Sequence, residues 1–364
     1  MKKILFAILC LIVSGPLFAG DSDFVYTDAT SLSVCGKLTE DTFEPFSRLP
    51  LDLKDQISGT VWKLGRNSAG IFIRFSSDAG KFSFKWKSTF GKSLPNITGI
   101  ATRGMALYVL DKGKWVFLCS QKPGRVKEES VSSFSSSYLK GKPTEYMLYL
   151  SLYDGVQDFR IGVPEGCTIS PSTLNSPRME KPVIIYGTSI LQGASASHPG
   201  MCGTAQLSRR LDRQVINLGF SGNCKLEEPM ARYLASYQSP GMYVLDNWNG
   251  KAEIGEKRLE KFIRILLEAH PDTPVLVASR PLNPNARFDE KARYEFDSKN
   301  DVAVAVVKKL RKEGHRNVKC IAPYVLGEEN DGYSDGIHFT DEAFRKWTDA
   351  LEREIKIYRK VLEK

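Results

Sequence analysis

The chain has 364 residues, 42% of them hydrophobic and 26% charged, with 51 Lys plus Arg against 42 Asp plus Glu and a net charge of +9. These proportions are ordinary for a globular protein and exclude a disordered, collagen-like or small disulfide-scaffold class. At ~150 residues per domain, the length points to two domains.

At the start of the chain, Lys2 and Lys3 precede an apolar run from Ile4 to Val13. Ser14-Gly15-Pro16 breaks that run, and Leu17-Phe18-Ala19-Gly20 offers small residues for cleavage. The run falls short of the ~20 residues that a spanning helix needs. Residues 1–20 are therefore expected to be a secretory signal peptide rather than an uncleaved anchor. Its removal takes away two lysines and no acids, leaving +7. No later apolar run is long enough to cross a bilayer, so an exported protein, periplasmic or extracellular, without an integral membrane span is expected. Basic clusters such as Lys308-Lys309-Leu310-Arg311-Lys312 fall on helical patterns. They read as solvated faces rather than a nucleic-acid site, and an acidic polysaccharide or envelope surface suits the charge better. Beyond the leader stand Cys35, Cys119, Cys167, Cys202, Cys224 and Cys320. None has zinc-ligand spacing, so either disulfides or six buried thiols fit.

Residues 21–175 form the first expected domain, and its signal is β. Runs at 71–75, 81–86, 106–110, 115–118 and 146–150 are rich in aromatic and β-branched residues. Lys81 to Trp86 alternates strictly, which predicts a strand with one buried face. Turn residues such as Asp78-Ala79-Gly80 and Asp111-Lys112-Gly113 separate the runs, and no helical stretch is evident. A β-sandwich follows. The composition then changes across Ser170 to Pro177.

Residues 176–364 form the second expected domain. Pro182-Val183-Ile184-Ile185-Tyr186 is continuously apolar, as in a strand buried on both faces. Runs at 215–218, 242–245, 275–278 and 318–321 repeat that type, with helical patterns near 203–212, 226–237, 254–269 and 289–313. After Thr340, Phe344, Trp347, Leu351, Ile355, Tyr358 and Leu362 mark one stripe of a last helix. Alternating strands and helices predict a three-layer α/β domain around a parallel sheet.

Ligands of such sheets bind at the carboxyl ends of the strands. There stand Gly187-Thr188-Ser189 after the first strand, Gly219-Phe220-Ser221-Gly222-Asn223 after the second, and Asp246-Asn247-Trp248-Asn249-Gly250 after the third. Taken singly, a serine there is an ordinary helix cap and the glycines an ordinary turn. Asp335-Gly336-Ile337-His338 is more telling. A carboxylate three residues before an imidazole can orient it, freeing the other ring nitrogen to act as the base a serine nucleophile needs. His198, after Ser189, is a candidate for the pocket wall, and a surface role fits equally. Trp248 could stack on a sugar ring.

In this order the blocks resemble the SGNH (GDSL-type) hydrolase family, whose domain is a flavodoxin-like α/β fold. The resemblance covers about residues 180–360. It is closest to an exported bacterial branch in which a jelly-roll-like β-sandwich carries a Gly-x-Asp-Leu-Tyr motif. That motif would here be Gly104-Met105-Ala106-Leu107-Tyr108, with Ala106 in place of the acid. The resemblance implies Ser189 as nucleophile, His338 as base and Asp335 as its orienting acid. It also implies an oxyanion hole from the N–H groups of Ser189 and Gly222 and a third-block asparagine. That asparagine is Asn249 if the loop is one residue short, with Asn247 as the fallback. No metal or organic cofactor is implied. The expected activity is hydrolysis of acetyl or other short acyl esters on a carbohydrate or small-molecule substrate. The alternatives are a lysophospholipase or thioesterase, and a non-catalytic glycan-binding protein on the same scaffold. The oligomeric state is not legible.

Overall fold

The computed structural model describes residues 23–246, 248–321 and 331–363. The expected signal peptide and Asn247 lie outside the described residues.

The N-terminal half contains β1 (Phe24–Asp28), β2 (Ser33–Cys35), β3 (Phe72–Ser77), β4 (Lys81–Ser88), β5 (Met105–Asp111), β6 (Lys114–Gln121), β7 (Ser130–Ser135), β8 (Thr144–Tyr149), β9 (Val156–Pro164) and β10 (Ile169–Pro171). One antiparallel sheet has the order β1-β9-β4-β7 and the other β10-β3-β8-β5-β6, with β2 also paired to β3. Phe75, Phe82, Phe84, Trp86 and Leu148 fill the space between them. Each such side chain contributes roughly 1.5–3 kcal/mol by leaving water.

Two expectations for this half need correction. Short helices α1 (Gly59–Gly65) and α2 (Gly99–Arg103) do occur. Each is started by a hydroxyl that accepts a backbone N–H, Ser58 from Val61 and Thr98 from Ala101. At this length a cap, not an apolar period, marks a helix. β4 is also buried on both faces, because the Tyr26 side chain reaches from β1 across Gly162 of β9 onto its polar side. Tyr26 shares a 2.9 Å hydrogen bond with Ser83, and the Lys85 ammonium lies 4.4 Å from the Tyr26 ring centroid.

In the C-terminal half, β11 (Arg178–Gly187), β12 (Arg213–Gly219), β13 (Met242–Asp246), β14 (Val275–Ala278) and β15 (Val318–Ile321) form one parallel sheet of order β12-β11-β13-β14-β15. This is the flavodoxin-like order. Helices α3 (Ser189–Gln192), α4 (Gly203–Leu211), α5 (Glu228–Ala235), α6 (Ala252–Ala269), α7 (Glu290–Lys312), α8 (Asp341–Lys356) and α9 (Arg359–Glu363) alternate with the strands or follow them. Alternate strand residues face opposite sides. Val183, Ile185 and Val244 pack with Trp347 and Leu351 of α8, whereas Ile184, Tyr186 and Tyr243 pack with Leu234 of α5 and Phe262 of α6.

The sandwich half enters both of these cores. Tyr108, Met147 and Tyr149 join the first, and Leu49, Val61 and Leu64 join the second. A buried arginine fastens the second contact. Arg48 donates from Nη1 to the carbonyls of Asn217 and Gly219, from Nη2 to that of Leu64 and from Nε to that of Asn67. Burial pushes its pKa down to about 9, which still leaves it charged at neutral pH. The four carbonyls supply what an otherwise isolated buried cation lacks.

A candidate active site at the sheet end

Ser189 follows β11, the strand flanked by β12 and β13, and opens α3. The turn demands Gly187, since a Cβ there would stand 2.8 Å from the Asp246 carbonyl oxygen. Ser189 Oγ lies 2.9 Å from His338 Nε2, and His338 Nδ1 lies 2.7 Å from Asp335 Oδ2. With Nδ1–H donating to the carboxylate, Nε2 is left to accept the serine proton. The structure thus brings together all three of Ser189, His338 and Asp335.

Local chemistry fixes the acid and the imidazole to each other. Asp335 Oδ1 accepts the N–H groups of Ile337 and His338, an Asx-type turn with Gly336 at φ +80°. The turn is anchored at α8, where Asp341 accepts both the N–H and the hydroxyl of Ser197. Burial alone would raise the pKa of Asp335. Hydrogen bonds from the His338 ring and N–H, Asn96 and Ile337 N–H outweigh it and hold the carboxyl well below the usual carboxylate range.

Asn96, in the loop before α2, was not marked by any sequence signal. Its Nδ2 donates to Asp335 Oδ2 at 2.9 Å. The 3.4 Å approach of the same nitrogen to His338 Nδ1 sets one donor against another, so only the carboxylate bond contributes. The Asn96 carbonyl accepts from Ser195, and Tyr153 donates its hydroxyl to the Ser189 carbonyl at 3.2 Å. The sandwich half thus steadies both ends of the serine–histidine–aspartate line.

The donors expected for an oxyanion stand on the loops that follow β11, β12 and β13. Among the described residues the N–H groups of Ser189 and Gly222 have no hydrogen-bond acceptor. Gly222 has φ +68°, and a Cβ there would meet open space, so glycine is required by conformation and not by crowding. Asn249 is tied to the same loop. Its Oδ1 accepts from Cys224 N–H at 2.9 Å and its own N–H donates to the Cys224 carbonyl at 2.7 Å. Spending Oδ1 in this way leaves the amide Nδ2 as the available donor. The fallback Asn247 lies outside the described residues.

Two pocket assignments are corrected. Trp248 is 4% exposed and belongs to the core, its indole pressed so close to Gly255 of α6 that a Cβ there would lie 2.3 Å away. His198 stacks on Phe117 of β6, with ring centroids 4.4 Å apart. Burial lowers its pKa to about 4, so it packs as a neutral ring between the two halves and does not line the site. Cys202 and Cys224 carry no disulfide, and neither do the other four described cysteines. The two lie in cores on opposite faces of the parallel sheet.

A cavity of about 280 Å³ opens beside His338. Ala194, Ser221 and His338 are its only contribution from the α/β half among the described residues. Leu64, Leu94, Ile97 and Tyr153 of the sandwich half supply apolar wall, and Thr60, Lys92 and Asn96 supply polar groups. At the end of β13, beside Gly187, burial pushes the Asp246 carboxyl up to about 7, against the opposing effect of the Trp347 indole. Among the described residues, no group of three His, Cys, Asp or Glu side chains is placed to hold a metal ion. No described helix is long and apolar enough to cross a membrane.

Residues 180–356 match the GDSL-like lipase/acylhydrolase family model, and residues 24–169 match the model for the N-terminus of SGNH hydrolase-type esterases. The fold is similar to that of a Bacteroides ovatus protein described as a GDSL-like lipase. The two are 33% identical with a TM-score of 0.86, over 93% of this chain and 98% of that one. It is also similar to a salicylyl-acyltransferase of a tetracycline biosynthetic pathway, at 17% identity and a TM-score of 0.72 over 92% and 97% of the chains. A family-two carbohydrate esterase from Clostridium thermocellum, solved with cellohexaose, matches at 13% identity and a TM-score of 0.58 over 81% and 94%. No curated protein matches the sequence significantly.

Proposed function

The chain belongs to the GDSL-like lipase/acylhydrolase (SGNH) family of esterases, and from that premise we propose that it is exported and removes acetyl or other short acyl groups from O-acylated carbohydrate. The observation that carries the chemistry is the unbroken line Ser189 Oγ–His338 Nε2, His338 Nδ1–Asp335 Oδ2, at 2.9 and 2.7 Å. Ser189 Oγ attacks the ester carbonyl while His338 Nε2 takes its proton. His338 then returns that proton to the departing sugar oxygen, leaving an acyl-serine. Water attacks the acyl-serine with His338 again as base, and the acid and Ser189 are released. Asp335 keeps Nδ1 protonated and balances the imidazolium. The N–H groups of Ser189 and Gly222, with the Asn249 amide, hold the oxyanion.

The size of the cavity supports a short acyl group. Its volume of about 280 Å³ is at the bottom of the ~300–1,000 Å³ span common to ligand pockets. The carbohydrate part draws support from the sandwich walls and from the carbohydrate esterases that share the fold. Export draws on the basic and apolar leader of the sequence.

The test is acetate release from acetylated oligosaccharides, together with an acyl series on one alcohol. Activity should fall steeply beyond propionyl; a rise toward octanoyl would favour the lysophospholipase or thioesterase reading. Asn249→Ala should lower kcat by ~10²–10³, with KM little changed. Damage from Asn247→Ala instead would move the amide's role to that residue.

A further inference from the structure

Lys92 is the one cationic side chain among the described residues that line the cavity beside His338. It is half-buried, and among the described residues its ammonium has no carboxylate within 4.0 Å. Its hydrogen bond goes to a neutral amide oxygen, Asn67 Oδ1, at 3.3 Å. Asp154, the acid that acts on it electrostatically, is committed elsewhere: Oδ1 accepts the N–H groups of Phe90 and Gly155, and Oδ2 accepts that of Lys92 itself. That carboxylate folds the loop and does not pair with the ammonium.

The surroundings add positive charge. The Phe90 ring gathers three cations, with Lys92 Nζ 4.9 Å, Lys63 Nζ 5.4 Å and the Arg66 guanidinium 5.1 Å from its centroid. Among the described residues, Arg66 alone of these is neutralised directly, by Glu44. Burial, with Lys63 and Arg48 nearby, lowers the Lys92 pKa against the opposing pull of Asp154. An ammonium partly out of water, with no carboxylate in direct contact, is incompletely compensated. An incoming anion would complete that compensation.

We propose that Lys92 binds a carboxylate of the substrate, and that the preferred substrates are O-acylated uronic-acid residues of acidic polysaccharides. The proposal rests on the esterase reading above and names the alcohol half of the ester. Leu64, Leu94 and Ile97 are apolar and Thr60, Asn96 and Ser221 are neutral, so Lys92 places its positive charge at one point of the pocket. The net charge of +7 after removal of the expected leader would draw an acidic polymer toward the protein, an attraction weakened by salt.

The experiment compares kcat/KM for acetylated galacturonic acid and acetylated galactose at low and high salt, in the native protein, Lys92→Met and Lys92→Arg. The proposal predicts a preference of ~10- to 100-fold for the uronate, the strength of a hydrogen bond to a charged group. That preference should shrink with salt, persist in Lys92→Arg and collapse toward unity in Lys92→Met. Binding of unacetylated galacturonate to Ser189→Ala, by calorimetry, reads the same site without turnover. Serine-dependent hydrolysis with equal kcat/KM for the two sugars would overturn the proposal alone, as would a preference that survives in Lys92→Met. Hydrolysis that persists in Ser189→Ala would instead overturn the esterase mechanism beneath it.

Discussion

The parallel sheet and the sandwich build the site in different ways. The sheet supplies the proposed nucleophile, base, acid and oxyanion donors, each on a few residues just past a strand or just before a helix: Ser189 after β11, Gly222 after β12, Asn249 after β13, and Asp335 with His338 before α8. The sandwich supplies walls and supports from loops far away in sequence. Asn96 reaches Asp335 across 239 residues, and Arg48 reaches Asn217 across 169. Reaction chemistry thus depends on local geometry that a strand end provides, whereas selectivity and orientation depend on how the two halves dock.

That contrast can be broken at graded points. The largest effect should come from the reacting groups: His338→Ala should lower kcat by ~10⁴ with an unchanged fold, measured as turnover alongside circular dichroism. Next is the docking arginine. Arg48→Met leaves four buried carbonyls without their cation, and urea denaturation should show a loss of about 3–4 kcal/mol. A loss below ~0.5 kcal/mol would mean that the halves dock without it.

Asn96 should give a smaller change, and one that sharpens the contrast. Asn96→Ala removes one support of the Asp335 carboxylate, so kcat should fall about 10-fold with KM nearly constant. Asn96→Asp should be worse, since it sets a second carboxylate against the first. A rise in KM alone would make Asn96 a substrate contact instead of a support. The smallest effect is expected at His198, whose folded pKa of about 4 lies below the ordinary histidine value of 6.5. As the pH falls through 6.5, the unfolded chain takes up a proton that the folded chain refuses until about 4. Stability should therefore decline across that window, by on the order of 1 kcal/mol after allowance for solvent. His198→Phe, which keeps the ring against Phe117, should flatten this decline.

The same contrast explains what the sequence could disclose. Ser189, Asp335 and His338 were legible because a strand-end serine and an acid three residues before a histidine are patterns within single segments. The five strands of the parallel sheet were legible as apolar runs. Asn96 and Lys92 were not, because a loop asparagine or lysine looks the same whether it faces water or a triad. Trp248 misled for a related reason: its place after β13 suggests a platform, but Gly255 on α6 opens a slot that draws the indole into the core. In β4, strict alternation described one sheet face correctly and said nothing of Tyr26 reaching over the other from β1. Chain-distant cover of this kind leaves no local period.

The most direct test of the central claim is p-nitrophenyl acetate hydrolysis by the native protein beside Ser189→Ala, both shown to be folded. A serine esterase built on the Ser189–His338–Asp335 line requires turnover in the first and background in the second. Equal rates in the two proteins, or none in either, would contradict it.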